Sequence, residues 1–243
     1  MNSLKTNFGK RKVTLHKKTI LVQKVFSDVA KNYDTMNDFM SFGAHRLWKS
    51  ELIDLLNIQR KDKIIDVGSG TGDLIKLILK KNQDNSIYSV DLNRNMLNYS
   101  KKKFKNKNIR FKEANAETLP FPENCFDKYI ISFCLRNVTN INKALAESFR
   151  VLKPGGAFYC LEFSTPETET INKVYNNYKK NIIPWLGEKI AKNRYAYKYL
   201  DESINLFPNQ NELLKKIKKI GYFKSKYINI FNGIVTIHSG FKI

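Results

Sequence analysis

No apolar run in this 243-residue chain approaches the roughly 20 residues needed to cross a bilayer as a helix, so a transmembrane protein is excluded. Cysteine is scarce. Cys125, Cys134 and Cys160 lie far apart, no C-x-x-C occurs and the number is odd. That argues against a zinc site, a redox pair or a disulfide framework and predicts three reduced, partly buried thiols in a reducing compartment. Acid is scarce too: 22 Asp and Glu stand against 43 Lys and Arg, a net charge of +21. Such a balance invites a nucleic-acid or anionic-membrane reading. Only 8 of the basic residues are arginines, however, and 27 asparagines and 24 isoleucines accompany them. The pattern is that of a compositional drift toward Lys, Asn and Ile, so the charge is discounted as evidence of function. What is present is a globular composition, 42% hydrophobic and 12% aromatic, which excludes a disordered or fibrous chain. The length suits one ample core, or one core with an elaborated cap. Residues 1–24 hold seven basic residues and no acid, a pattern shared with transit peptides, which however favour Arg and Ser over Lys. No short apolar stretch with a small-residue cleavage site follows, which argues against secretion.

Neither an internal repeat nor a low-complexity linker interrupts the chain. Residues 17–31 read as an amphipathic helix with Leu21, Val22, Val25, Phe26 and Val29 on one face and Lys17, Lys18, Lys24 and Lys31 elsewhere. A helix over Arg46–Leu56 follows. Strands are predicted at 63–67, 86–91, 109–113, 128–133 and 157–163, alternating with helices to about residue 81, at 94–104 and at 141–152. Alternation of this kind implies βαβ crossovers and a parallel sheet. Residues 166–205 are helical and rich in Tyr and Lys, and 211–220 form another amphipathic helix. Two last strands, 223–231 and 234–241, flank Asn232-Gly233, a strong hairpin signal that adds antiparallel strands to the sheet. The fold class is α/β, Rossmann-like. The predicted organisation is an N-terminal helical cap over 1–56, a nucleotide-binding core over 57–165, a helical lid over 166–210 and a C-terminal helix and β-hairpin over 211–243 completing the same sheet.

Three of eleven glycines fall in Gly68-Ser69-Gly70-Thr71-Gly72, between a strand and a helix. Glycine lets the backbone turn tightly and approach a ligand beside the helix's N-terminal amides. Asp91 ends the next strand, where a carboxylate accepts hydrogen bonds from ribose hydroxyls. The bland alternative is a glycine turn with a capping aspartate. The third glycine of a dinucleotide fingerprint would fall on Asp73, and no Gly-Lys-Ser/Thr of a Walker loop exists. Asp66 adds negative charge just before the loop. That favours a ligand without phosphates and with a cationic head, for which S-adenosylmethionine is suited.

With these residues in place, the sequence resembles the class I methyltransferases, and within them the ubiquinone/menaquinone biosynthesis C-methyltransferase family. Tyr33-Asp34-Thr35-Met36-Asn37 with Ser41, His45 and Trp48 is similar to that family's first signature, and Arg150 to Gly156 through Leu161-Glu162-Phe163-Ser164 to its second. Asn115-Ala116-Glu117, Ser132 to Val138, Tyr199-Leu200 and Gly233 to Gly240 are similar as well, so the resemblance runs from about Phe8 to the C-terminus. It implies a mostly parallel seven-stranded sheet with helices on both faces. The cofactor it implies is S-adenosyl-L-methionine, with contacts at Thr71, Asp91, Asn115, Ala116 and Ser132, to which the residue reading adds Asp66, Gly68 and Gly70; no metal is expected. Thr71 would offer its hydroxyl and amide to the methionyl carboxylate, Asn115-Ala116 would read the adenine edge and Ser132 would sit near the methionyl end. Ser69 departs mildly from the family, where glycine is common.

The implied reaction is methylation of a ring carbon of a polyprenylated benzoquinol or of demethylmenaquinol. Arg136, Asn137 and Tyr33 are the catalytic candidates: Arg136 would stabilise a phenolate or order a water that takes its proton. A loop-holding salt bridge is the competing reading of Arg136, a packed structural role that of His45, and a supporting role that of Glu162. Partners expected are the polyprenyl quinol, a transient membrane surface contacted through the helix at 17–31 and the lid, and a quinone-biosynthesis complex or homodimer. No nucleic acid is expected. The expected location is cytoplasmic and peripheral to the inner membrane, ahead of the mitochondrial matrix. The alternatives are a nucleic-acid methyltransferase and a non-catalytic RNA-binding or assembly subunit. Against the first, Ser132-Phe133-Cys134-Leu135-Arg136 stands where exocyclic-amine methylases carry Asn/Asp-Pro-Pro-aromatic.

Overall fold

A computed structural model describes residues 5–104, 108–191 and 193–243. The first four residues of the predicted cap, 105–107 of the predicted core and 192 of the predicted lid lie outside the described residues. The chain opens with an antiparallel hairpin, β1 (Lys5–Phe8) and β2 (Arg11–Thr14), that the sequence did not signal. Three helices follow: α1 (Leu15–Val29), α2 (Tyr33–Ser41) and α3 (Ala44–Leu55). Thr14 caps α1 by accepting from the Lys17 amide. Strands and helices then alternate as β3 (Lys63–Val67), α4 (Asp73–Lys81), β4 (Ser86–Asp91), α5 (Arg94–Lys103), β5 (Ile109–Glu113), β6 (Phe126–Ser132), α6 (Ile141–Val151) and β7 (Leu152–Phe163). Helices α7 (Glu169–Asn177), α8 (Ile183–Ala191), α9 (Arg194–Asn205) and α10 (Gln210–Ile220) precede the closing pair β8 (Phe223–Ile230) and β9 (Val235–Phe241).

The seven-stranded sheet has the order β5-β4-β3-β6-β7-β9-β8. Strands β3 to β7 pair in parallel, β9 runs antiparallel to β7 and β8 to β9. Each central strand is apolar on both faces because helices cover both. Ile65, Val67, Tyr129, Ile131, Phe158 and Cys160 meet α6 and α10 on one face. Ile64, Ile87, Ile130, Tyr159 and Leu161 meet α3 and α4 on the other. The two-residue period fixes the site's orientation: Asp66 follows Ile64 onto the α3 face, and Glu162 follows Cys160 onto the opposite one.

Two details correct the sequence reading. Strands β6 and β7 begin earlier than predicted, with an isolated pair at Phe126 and Leu152, but the next pair is Lys128–Ala157: two steps on β6 match five on β7, so Pro154-Gly155-Gly156 is left out of the pairing and the continuous ladder starts at Ala157, as predicted. The Asn232-Gly233 hairpin is not a two-residue turn. The ladder closes at Ile230–Val235, and Phe231, Asn232 and Gly233 all have positive φ. The wider tip folds back on the start of the helical segment, where the Glu167 and Ser164 amides donate to the Asn232 and Ile234 carbonyls.

The N-terminal segment and the helices after β7 share one core. Phe8, Val25, Val29 and Met36 pack with Ile183, Ala196, Tyr197 and Tyr199. Phe8 stacks on Tyr199 with ring centroids 4.4 Å apart. The predicted cap and lid are therefore two halves of one helical layer above the sheet.

Candidate active site

Helix α1 lies across the carboxyl ends of the strands because its polar residues are tied to the loops there. Gln23 donates to the Leu92 carbonyl, Asn93 donates to the Gln23 carbonyl and to Ser27, and the Lys18 ammonium donates to the Val138 carbonyl at 2.7 Å. Lys18 is thus buried rather than a surface charge, and burial lowers its pKa to about 8 against the pull of Glu117. Val22 and Phe26 turn toward the sheet and roof a cleft with an open volume of about 810 Å³.

The cleft is floored by the predicted loop. Gly68 and Gly70 have φ of 71° and 56°. A Cβ at Gly68 would strike Cys134 at 2.2 Å, so glycine is required there for space as well as conformation. The Gly70 amide donates to Asp91 at 2.8 Å, and the Asn93 amide donates to the other Asp91 oxygen at 2.7 Å. Asp91 thus organises the loop while lining the cleft. Burial pushes its pKa up, and the backbone donors oppose that shift. Asn115 and Ala116 line the same cleft from beyond β5, with the Asn115 side chain accepting from the Glu117 amide.

A smaller recess joins the loop to Tyr33, Lys49, Asp66, Thr71, Asp73 and Ser132. Asp66 is 1% exposed, and neither carboxylate oxygen has a hydrogen-bond partner among the described residues. Burial, reinforced by Asp91, raises its pKa to about 7. The Ser132 hydroxyl also has no partner among the described residues. A buried, unsatisfied carboxylate is costly unless a ligand completes it. The ammonium of S-adenosylmethionine has the charge to do so. The donor set therefore fits this cofactor: a carboxylate for the ammonium, Asp91 for the ribose and an apolar roof for the adenine. Thr71 requires a correction. Its hydroxyl donates to Asp34 on α2 at 2.5 Å, which leaves its amide as the group available to a carboxylate.

A second cleft, with an open volume of about 970 Å³, adjoins the first. Phe26, Tyr33, Phe133 and Asn137 line both and form their common wall. Phe133 reaches this wall from a positive φ of 51°, at the sharp turn that ends β6. The rest of the second cleft is mainly apolar and aromatic, with Met40, Trp48, Phe163, Tyr175, Tyr178 and Tyr197 among its walls. Trp48 meets Phe133 and Phe163 with centroids 6.1 Å apart in each pair.

Arg136 lines this second cleft, and its Nη1 is 2.7 Å from Glu162 and 2.6 Å from the Phe133 carbonyl. Burial opposes the guanidinium charge, but Glu162 and the oxygens of Tyr33 and Tyr199 hold the Arg136 pKa above its ordinary value. Burial pushes Glu162 up, opposed by Arg136. Asn137 accepts from the Tyr199 hydroxyl at 3.1 Å. Burial raises Tyr33 to about 12, so it is a phenol at neutral pH.

His45 is engaged at both ring nitrogens: Nε2 is 2.8 Å from Asp38, and the Lys49 ammonium lies 3.3 Å from Nδ1. An ammonium can only donate, so the neutral ring carries its proton on Nε2 and has no lone pair for a substrate. Burial and Lys49 lower its pKa. The structural role weighed for His45 is the one its geometry supports.

Lys49 was missed by the sequence reading. It bonds Asp73 at 2.6 Å beneath the glycine loop, and as one lysine among many on an amphipathic helix it carried no signal. Phe26 was read only as a helix-face residue, and Phe133 only as part of a motif. Among the described residues, no group of three or more His, Cys, Asp and Glu is arranged to hold a metal ion, and no helix is long and apolar enough to cross a membrane.

Comparison with known proteins identifies the family and the fold. The ubiE/COQ5 methyltransferase family matches residues 12–242. A protein of Rickettsia bellii (strain RML369-C) named ubiquinone/menaquinone biosynthesis C-methyltransferase UbiE is 47% identical over 98% of this chain and 99% of its own. Its namesake in Erwinia tasmaniensis is 43% identical over 98% and 96%. Among solved structures, a SAM-dependent methyltransferase of Thermotoga maritima shares the fold with a TM-score of 0.67 at 18% identity, over 90% of this chain and 99% of its own. Phosphoethanolamine N-methyltransferase 2 of Haemonchus contortus, solved with S-adenosyl-L-methionine, gives 0.59 at 15% identity over 80% and 52%.

Proposed function

The chain belongs to the ubiE/COQ5 methyltransferase family, and from that premise we propose that it methylates a ring carbon of a polyprenylated quinol, a benzoquinol or demethylmenaquinol, with S-adenosylmethionine as methyl donor. The observation that carries this reading is the pair of adjoining clefts. One is polar at its glycine-loop floor, the other is large and aromatic, and Tyr33, Phe133 and Asn137 stand between them. An aromatic, mainly apolar chamber suits a tailed quinol.

When bound, S-adenosylmethionine supplies an electrophilic methyl group. Asp66 would hold the ammonium, Asp91 the ribose hydroxyls, Asn115 and Ala116 the adenine edge, and Ser132 the methionyl end. The acceptor carbon becomes nucleophilic when the neighbouring phenol ionises, so the chamber must favour a phenolate and exclude water. Glu162 is absent from the chamber wall while Arg136 is part of it, so the ion pair turns its positive end toward the substrate oxygen. Tyr33, protonated at neutral pH, donates a hydrogen bond there, and Asn137, fixed by Tyr199, positions the ring. After taking the methyl group the ring carbon loses its own proton and the ring regains aromaticity; Arg136 also borders a polar cleft lined by Lys18, Thr139 and Asn140, an open path to solvent for the released protons. A polyprenyl substrate resides in the bilayer, so the reading requires contact with a membrane surface. Location on the cytoplasmic face of an inner membrane, and membership of a quinone-biosynthesis complex or homodimer, remain parts of the proposal.

A nucleic-acid methyltransferase is disfavoured, because Phe133 and Leu135 make an apolar wall and core at the place where such an enzyme presents polar contacts to a base. Lipid analysis of cells lacking the protein tests the proposal. Accumulation of a demethyl quinone supports it and names the ring, and an unchanged quinone profile rejects it.

A further inference from the structure

The walls of the aromatic chamber carry a second set of apolar side chains that point away from the core. On α2, Met40 and Ser41 line the chamber, while Phe39 and Phe42 beside them are 51% and 86% exposed. On α3, Trp48 lines it, and Leu47 is exposed. Helices α7 and α8 run on through one wide turn at Tyr178–Ile182, and their outer face bears a stripe: Ile171, Val174, Tyr178, Ile182 and Trp185. The spacing of three and four residues places these on one side. All but Tyr178 are exposed, Val174 at 67% and Trp185 at 55%. The stripe adjoins α2, because the rings of Phe42 and Tyr178 are 6.3 Å apart and the Tyr178 hydroxyl donates to the Met40 carbonyl at 2.9 Å.

Phe42 is the sharpest anomaly. It caps α2 in the left-handed conformation, at φ 49°, where a bulky side chain is disfavoured. Helix α1, which the sequence offered for membrane contact, cannot present a comparable face. Its Val25 and Val29 are core, its Val22 and Phe26 roof the cofactor cleft and its Lys18 is buried.

We propose that the face formed by Phe39, Phe42, Val174, Ile182 and Trp185 is the surface on which the protein rests in the headgroup region of an anionic bilayer, placing the aromatic chamber over the lipid so that a tailed quinol enters without crossing water. The occupant is lipid on two grounds. The face is continuous, residue by residue, with the walls of the chamber, and the exposed Lys180 and Lys189 beside the stripe complement an anionic surface. Trp185, 55% exposed, provides the amphipathic ring that favours the interface. This inference rests on the quinol reading for the identity of the cargo, not for the surface itself.

Vesicles of phosphatidylcholine with a minor share of phosphatidylglycerol supply the test, with the full chain and no substrate. Of the two tryptophans, Trp48 is 6% exposed, so quenching by brominated lipid reports Trp185 directly. The expected result is quenching on wild-type vesicle binding. Combined Phe42→Ser, Val174→Ser and Trp185→Ser should lower the bound fraction roughly tenfold, with cofactor affinity and turnover on a tail-less quinol preserved, because none of the three lines either cleft. Turnover on a tailed quinol in vesicles should fall with binding. Absence of wild-type vesicle binding, or unaltered binding by the triple variant, overturns the proposal. So does a variant that converts a dimer into a monomer with unchanged vesicle binding, which would give the face to a second copy. Vesicle binding without methylation of any quinol would count against the quinol reading alone.

Discussion

Arg136 and Glu162 form an ion pair 2.7 Å long in which neither side chain is more than 5% exposed. It joins the turn after β6 to the end of β7, and the Arg136 amide, at 3.3 Å, also donates to Glu162. The loop salt bridge that the sequence allowed is therefore not a weak surface contact. The pair is structural and borders the chamber at once, and its two roles have to be separated by experiment.

Arg136→Ala leaves Glu162 buried without its partner, and breaking a buried pair in this way costs about 3–5 kcal/mol. Turnover should also collapse, while the cofactor dissociation constant of the folded fraction stays close to wild type, since Arg136 lines the aromatic cleft and not the one floored by the glycine loop. The double variant Arg136→Met with Glu162→Gln should recover much of the stability and none of the turnover. Recovery of both in the double variant would assign the pair a purely structural role. Melting temperature, cofactor affinity and turnover on each preparation make the distinction.

Asp91→Ala should weaken cofactor binding by an order of magnitude or more, since a charged acceptor is worth about 1.5–3 kcal/mol. The loss has two sources, because Asp91 also receives the Gly70 and Asn93 amides. Asp91→Asn keeps one carbonyl acceptor and should lose less. Titration of cofactor against both variants checks the order, and equal, wild-type affinity in both would remove Asp91 from the site.

Asp66 should couple cofactor binding to pH. Its carboxyl is raised to about 7 in the free protein, and a bound ammonium would lower it again. Binding below neutrality therefore releases a proton, and affinity should rise from acid toward about pH 7 and then level off. Calorimetry in buffers of different ionisation enthalpy measures that proton. Because the folded pKa is raised, Asp66 contributes stability at low pH that is lost as pH rises through 7, up to roughly 4 kcal/mol. Asp66→Asn should accordingly raise the melting temperature more at pH 8 than at pH 5 while weakening cofactor binding. An identical shift at both pH values would contradict the assignment.

His238 on β9 is 1% exposed, lies 2.9 Å from the Gln210 carbonyl and is lowered to about 4 by burial. Between pH 6.5 and about 4 the unfolded chain binds this proton and the folded chain does not. The stability it contributes is thus complete above pH 6.5 and is lost as pH falls toward 4, roughly 3 kcal/mol in all. His238→Gln should flatten that part of the stability profile, and denaturant titrations at pH 4.5 and 7 would show it. A variant that keeps the full wild-type slope would place the acid sensitivity elsewhere.

The sequence by itself determined the sheet and the floor of the site. Strands apolar on both faces, helices between them and Gly68-Ser69-Gly70-Thr71-Gly72 before α4 are local patterns, and local patterns survive in one dimension. Asp66 and Asp91 were legible as carboxylates at the carboxyl ends of β3 and β4 beside the glycine loop, whereas Asn115 and Ser132 were singled out only through the family resemblance. What only the tertiary structure decided is how distant segments meet. Phe8 on Tyr199, Asp34 on Thr71, Lys49 on Asp73 and Arg136 on Glu162 join residues 24 to 191 positions apart. No periodicity encodes such pairs, because side-chain burial and hydrogen bonding depend on what lies across the fold and not along the chain. The same holds for α1. Its amphipathic pattern announced an apolar face, but only the packed structure shows that the face is spent on the core and the cofactor cleft, leaving Phe42 and the stripe on α7 and α8 facing outward.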